Sequence, residues 1–240
     1  MRLPAMSSTI EHRLLINYHA DPDRVAPLLP PTLTPQVVGG RAVVGICVIR
    51  FSGLRPAMLG AGGLTCDNAA HRIAVEWTDA QGARRPGVFI PGRHTSSRLV
   101  ALVGSRFSGE HRRATFEVRD DDEGLAISMR SADGASDLSV RAAPGRSVLS
   151  PTSVFASEEE VSRFFQCAAT GFSPQGGGLA AVALATERWA MHPVAIRKLR
   201  SAFYDDTRRF PTGTIAFDSA MLMRRIPATW LAQGDLPAAA

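Results

Sequence analysis

Turn chemistry recurs along this chain at short intervals and cuts its apolar residues into runs too short for long helices. Asp79-Ala80-Gln81-Gly82, Asp120-Asp121-Asp122 with Gly124, and Asp133-Gly134 each separate two apolar or alternating runs. Asp side chains close turns on their own backbone and glycine supplies the positive φ that turns need, so such clusters join strands. The predicted strands are Glu11 to His19, the almost wholly apolar Ala42 to Phe51, Asp67 to Trp77, Gly87 to Pro91, Ala114 to Arg119, Leu125 to Arg130, Asp137 to Arg141, Ala180 to Trp189 and Ala216 to Met223. Helices are few and short. Asp21 caps one that opens on Pro22 and stops at Pro30-Pro31. Thr95 or Ser96 caps a second, which Gly104 ends, and Ser157-Glu158-Glu159-Glu160 opens a third that runs to Cys167. Arg55 to Leu64 is a glycine-rich loop, and Pro193 to Phe203 fits neither pattern.

Strands that follow one another without crossover helices exclude a βαβ series and a dinucleotide fold. The expected fold is α+β, mainly antiparallel β, in its simplest form a closed or half-closed barrel with a few short helices. One domain over 10–232 is expected, with 1–9 as an N-terminal extension and 233–240 as a flexible tail.

The net charge of +5 raises nucleic acid as a partner. The arginines are scattered among acids, however, as in Glu110-His111-Arg112-Arg113 and Asp205-Asp206-Thr207-Arg208-Arg209, and no basic run is interleaved with aromatics. No nucleic-acid partner is expected. Cys47, Cys66 and Cys167 are far apart and odd in number, which argues against a disulfide framework and for a reduced, cytoplasmic setting. No stretch approaches a membrane-span length of about 18 apolar residues, so no membrane partner is expected. Of the 27 basic residues only Lys198 is a lysine. An amine can condense with a carbonyl, whereas a guanidinium stays protonated and binds, orients or stabilises charge. The basic residues are therefore mainly an anion-binding inventory.

Motifs narrow the chemistry. Gly60-Ala61-Gly62-Gly63 lacks the GK[ST] and helix start of a phosphate loop. No GxSxG elbow is present. The histidines show no paired ligand spacing, so no metal and no cofactor is expected, although folding could still bring His71, His94 and His111 together. The informative stretch runs from Gly87 to Arg98: the strand turns through Pro91-Gly92, Arg93 and His94 follow, and Ser96 and Ser97 stand at a helix start. A helix start beside an arginine makes an anion site; alternatively these arginines are solvated and a hydroxyl merely caps the helix. Strand alternation places His71, Ile73, Val75 and Trp77 on one face, and Arg72, Ala74 and Glu76 on the other. Arg72 and Glu76 line a polar cavity as binder and acid-base group, or form an exposed pair.

Several stretches resemble the DUF2071 family of the acetoacetate decarboxylase-like superfamily: Ala70 to Trp77, Gly87 to Pro91, Thr95 to Arg98, Gly109 to Ala114, Phe217 to Met223, and the early run from Asp21 to Leu33. The resemblance spans about residues 10 to 230. It implies a β-barrel-like domain around a central cavity, and homo-oligomerisation. In the decarboxylases a Tyr-Pro-Lys-Lys-like run delivers a lysine that forms an imine with a β-keto acid. The matching run here, Gly109 to Arg113, has no lysine, and Lys198 matches no such motif. The expectation is then a small anionic ligand or substrate, a carboxylate or oxo compound, in the cavity, with acid-base chemistry of the enolisation, isomerisation, dehydration or lyase type. His111 and Glu76 would carry protons, and Arg72, Arg93, His94, Ser97 and Arg113 would bind substrate. The alternative is a non-catalytic protein that holds a metabolite in the same cavity.

Overall fold

The computed structural model describes residues 5–236. Fourteen strands form one sheet system: β1 (Met6–Ala20), β2 (Thr34–Pro35), β3 (Val37–Val38), β4 (Arg41–Pro56), β5 (Leu64–Thr78), β6 (Arg84–Thr95), β7 (His111–Asp121), β8 (Gly124–Ser131), β9 (Leu138–Ala142), β10 (Thr170–Gln175), β11 (Gly178–Thr186), β12 (His192–Pro193), β13 (Ile196–Ser201) and β14 (Ile215–Leu236). The helices are α1 (Pro22–Val25), α2 (Arg98–Val103), α3 (Ser105–Ser108) and α4 (Glu158–Cys167). None is long and apolar enough to cross a membrane.

Pairing runs β6-β10-β11-β14-β1-β4-β5 and returns from β5 to β6, which closes a ring of seven strands. Closure leaves these strands without a free edge along the paired stretch. Two of the ladders involving β6 are parallel. Val88 and Phe89 pair with Gly171 and Phe172 of β10, and Arg93 to Thr95 pair with His111 to Arg113 of β7. From that branch β7, β8, β9 and β13 continue as a second, antiparallel sheet.

Alternation gives the ring strands two faces with separate fates. Leu14, Ile16, Val44, Ile46, Val48, Ala69, Ile73, Phe89 and Phe172 join Leu125, Ile127, Met129, Leu138 and Val140 of the second sheet in one buried cluster. A four-stranded sheet does not fit inside a seven-stranded ring, so these residues form the ring's outer face. The remaining residues face the lumen, and there Leu15, Val43, Ala74, Met221 and Met223 pack with Phe155, Val161 and Phe165 of the α4 region. The carboxylate of Asp120, in the β7–β8 hairpin, receives both terminal nitrogens of Arg224 on β14, at 2.6 and 2.8 Å, and so ties the second sheet to the ring.

Local signals act where the sequence places them. Asp21 caps α1 through the N–H of Asp23, and Ser157 caps α4 through the N–H of Glu160. The Glu160 carboxylate accepts the N–H of Ala156, so the residues on either side of the cap bond reciprocally and α4 starts with acids at its positive end. Gly45 is the residue that close approach demands: a Cβ there would lie 2.2 Å from the carbonyl oxygen of Ile16. Beside it the Tyr204 hydroxyl accepts the N–H of Gly45 at 3.0 Å and faces the carbonyls of Gly45 and Arg72. Tyr204 thereby pins β4 to β5.

Several expectations need correction. β6 does not turn at Pro91-Gly92. It continues to Thr95 and absorbs the irregularity as a register shift opposite His71 and Ile73. β4 and β14 run further than expected, because pairing across the ring continues past the apolar runs. β10 had no sequence signal, since Thr170–Gln175 contains both a glycine and a proline and owes its extended form to β6 and β11. β1 begins at Met6, inside the expected extension; of the expected tail, 233–236 belong to β14 and 237–240 lie outside the described residues.

His71 is buried on the outer face, stacked on Phe203 with ring centroids 4.3 Å apart. Burial first, then His94 and Arg209, push its pKa down to about 3. An unfolded histidine titrates near about 6.5. The contribution to stability is therefore full above about pH 6.5 and is lost as pH falls toward about 3, because only the unfolded chain takes up the proton in that window. Urea denaturation measured between pH 7 and 4 should show stability falling on the acid side. His71→Phe, which keeps the stack on Phe203, should flatten that fall; an unchanged pH slope would contradict the assignment.

Candidate active site

A single cross-strand row organises the lumen. Leu15 on β1 pairs with Cys47 on β4, Cys47 with Ala70 on β5, Ala70 with Arg93 on β6, and Arg93 with His111 on β7. Directly paired residues share a face, and neighbouring strands lie about 4.8 Å apart. The small side chain of Ala70 thus leaves room between Cys47 and Arg93. Cys47, Ala70, Arg93 and His111 are half-buried, whereas their outer-face neighbours Ile46, Val48 and Ala69 are fully buried. Solvent therefore reaches this row from the lumen.

Three guanidiniums face the same space. Arg72 is 3% exposed and donates to the Asn17 amide oxygen, which Ser219 buttresses from β14 by accepting the Asn17 amide N–H at 3.0 Å. Its guanidinium carbon stands 4.3 Å from the centre of the Phe165 ring, and its Nε has no partner among the described residues. Arg93 donates from Nε to the Ser173 hydroxyl on β10 at 3.2 Å. Arg13 on β1 lies 5.8 Å from the centre of the Trp189 ring, with Nε and Nη1 buried and unpartnered. No carboxylate within ion-pair distance of any of the three is found among the described residues. Desolvation pulls both Arg72 and Arg93 down to about 10, so they remain charged at neutral pH, at a free-energy cost that an anion would relieve.

His111 stands at the rim of this field. Its Nδ1 lies 2.8 Å from the Gly109 carbonyl oxygen, which can only accept, so Nδ1 carries the proton and Nε2 offers a lone pair. Burial and then Arg93 lower its pKa to about 4, against a smaller opposing effect of the Gly109 bond. His111 is therefore neutral at pH 7 and suited to accept a proton. The sharp corner before it is enforced by Gly109 at φ 80°, where a Cβ would meet Ser173 at 2.5 Å.

The other expected residues separate from this group. Glu76 shares the lumenal parity of Arg72 but sits six residues beyond Ala70, near the β5–β6 hairpin, and pairs there with Arg84. At about 3.3 Å per residue that is roughly 20 Å from the row, too far to share a small substrate with His111. His94 faces the opposite way from Arg93 because β6 is extended there; it is buried on the outer face, edge-on to His71 with ring centroids 6.4 Å apart. The Ser97 hydroxyl caps α2 by accepting the Val100 N–H at 3.2 Å. Arg113 shares the parity of His111 but is exposed. His71, His94 and His111 do not converge, and no group of three or more His, Cys, Asp or Glu side chains suited to a metal occurs among the described residues. Lys198 is exposed on β13, in the second sheet and opposite Arg141.

Arg13, Asn17, Cys47 and Ser173 were not among the expected residues. The alternation of β1, with Arg13, Leu15 and Asn17 on one face, was the available signal for the first two. Surface clefts occur elsewhere: one of about 560 Å³ is lined by Pro27 to Pro31, Phe89 and Pro174 to Leu179, none of them in the row.

Comparison with known proteins agrees with this architecture. The family model DUF2071, "Uncharacterized conserved protein", matches residues 7–215. No curated protein matches the chain. Among solved structures, acetoacetate decarboxylase from Legionella pneumophila subsp. pneumophila str. Philadelphia 1 superposes with a TM-score of 0.64 at 15% identity, covering 98% of this chain and 88% of that one. The enduracididine biosynthesis enzyme MppR complexed with pyruvate gives 0.58 at 11% identity, with 100% and 91% covered. An acetoacetate decarboxylase-like enzyme from Sphingomonas wittichii RW1 gives 0.59 at 13% identity, with 98% and 94% covered. The chain belongs to the DUF2071 family and has the acetoacetate decarboxylase-like fold.

Proposed function

We propose that the lumen binds a small 2-oxo carboxylate and that His111 moves a proton on it without an imine intermediate. The observation that carries this is the set of desolvated guanidiniums of Arg13, Arg72 and Arg93, which face a solvent-reached lumen with no carboxylate partner among the described residues. The substrate carboxylate is held by Arg93 and Arg72 through charge-assisted bonds. Its carbonyl oxygen lies in the same positive field, which stabilises the negative charge of an enolate. Nε2 of neutral His111 takes the proton from the carbon next to the carbonyl. The structure of MppR with pyruvate supports the ligand class, since that protein shares this fold.

A second reading, a protein that binds the metabolite without turnover, is favoured by one observation: Glu76, the expected second proton carrier, sits far from the row. Deuterium exchange at the methyl group of pyruvate, followed by NMR in D2O together with calorimetric binding, separates the two. On the enzymatic reading the wild type binds and exchanges. Arg93→Gln should weaken binding about ten- to a hundredfold, the value of a hydrogen bond to a charged group of about 1.5–3 kcal/mol. His111→Gln should keep binding within a few-fold and lower exchange by about 10²–10⁴. Binding without exchange would leave the metabolite-holding reading, and absence of binding would remove both. Borohydride added during turnover should leave the protein mass unchanged; a reduced adduct on Lys198 would refute the imine-free mechanism.

Stability should move against binding at Arg13. Replacing an unpaired, partly buried guanidinium by an apolar chain of similar length removes a desolvation cost. Arg13→Met should raise stability by about 1 kcal/mol, about 2–4 °C in melting temperature for a chain of this size, while weakening pyruvate binding. A fall in both would assign Arg13 a structural role.

A further inference from the structure

Cys47 occupies a place in the lumen that proton transfer by His111 leaves unused. It pairs in register with Ala70, whose own partner on the far side is Arg93, so the thiol and the Arg93 guanidinium flank a methyl-sized side chain. Two residues along β4 lies Gly45, paired with Arg72. The missing side chain there is what lets the Arg72 guanidinium lie across β4: a Cβ on Gly45 would come within 3.3 Å of Nη2. Arg72 is 3% exposed, and its Nε has no partner among the described residues. A half-buried thiol therefore lies across Ala70 from one desolvated cation and diagonal to another, the second with a donor still unsatisfied. Cys47 lies within electrostatic reach of both guanidiniums. The other two cysteines differ: Cys66 is buried and Cys167 is exposed on α4.

We propose that Cys47 is a nucleophile of this site, directed at small electrophiles that carry a carboxylate. This rests on the anion-binding part of the function proposed above, but not on proton transfer by His111. Arg93 and Arg72 hold the carboxylate, and the sulfur is then beside the carbon next to it. With a 2-oxo acid the S–C bond forms as the carbonyl π bond breaks, and the proton released from the thiol ends on the former carbonyl oxygen, giving a reversible hemithioketal. With an α-halo acid the S–C bond forms as the carbon–halogen bond breaks; the halide leaves with the electron pair and the proton goes to solvent. Neither step needs an oxidant or reductant.

Iodoacetate and iodoacetamide test this directly, since they differ in charge and alkylate by the same step. The native full chain is treated with each, and alkylation at Cys47 and Cys167 is followed by peptide mass spectrometry. The iodoacetate-to-iodoacetamide rate ratio at Cys47 should exceed that at Cys167 by about tenfold or more, as expected of a charge-assisted contact. Pyruvate should slow the labelling of Cys47 and leave Cys167 unaffected. Arg93→Gln should bring the Cys47 ratio close to that of Cys167, and Arg93→Lys, which keeps the charge, should retain part of the preference. Equal ratios at the two cysteines in the native protein would overturn the proposal. So would a Cys47 that neither reagent labels until the chain is unfolded in urea. Pyruvate binding together with equal ratios would sink the nucleophile and leave the binding function standing. Preferential carboxymethylation of Cys47 without pyruvate binding would sink the 2-oxo acid function and leave the nucleophile.

Discussion

A guanidinium withdrawn from water without a counter-ion is among the most unfavourable groups a protein can bury. The lumen of this ring holds Arg72 in that state, with Arg93 and Arg13 partly so. The surrounding structure supports them by devices other than charge neutralisation. Asn17 and Ser173 supply neutral acceptors, and Phe165 presents the face of its ring to Arg72. The pinning of β4 to β5 by Tyr204, the close approach at Gly45 and the covering of the lumen by α4 all keep these positions fixed. A ring closed on itself gives such groups a rigid frame, because a register slip in one strand would have to propagate through its neighbours.

The absence of a lumenal amine changes what this architecture can do. Imine chemistry needs a nitrogen that can lose its proton, and the one lysine of the chain is exposed on β13 in the second sheet. What the lumen keeps is a positive field beside a histidine that burial and Arg93 hold neutral. Stabilising an anion and removing a proton are the two parts of enolisation, and neither requires a covalent link to the protein.

Much of the fold was legible because its signals are local. Asp21 before Pro22, Ser157 before three glutamates, and the Asp-Gly turns act within a few residues, and the structure uses them there. β10 was not legible because its extended form comes from partners distant in sequence. The site divides in the same way. Arg72, Arg93 and His111 were singled out because chemistry-bearing residues stood near turns and on alternating strands, and the structure sets Arg93 and His111 in one cross-strand row. Their grouping depends on register across strands far apart in the chain, which no single segment encodes. Glu76 shows the limit: alternation placed it on the correct face, but it says nothing about position along the strand. His94 was lost because a proline-glycine pair was read as a turn. Once β6 is continuous through Gly92, Arg93 and His94 must point to opposite sides.

Arg93 is part of the closed ring, whereas His111 is the first residue of a second sheet that joins the ring through three paired residues of β6 and β7, a shared buried core and the Asp120–Arg224 pair. The proposed anion site and the proposed proton carrier are therefore housed in different sheets of the molecule. Exchange of the first residues of β7 would therefore alter what stands beside Arg93 while the ring that holds it stays intact.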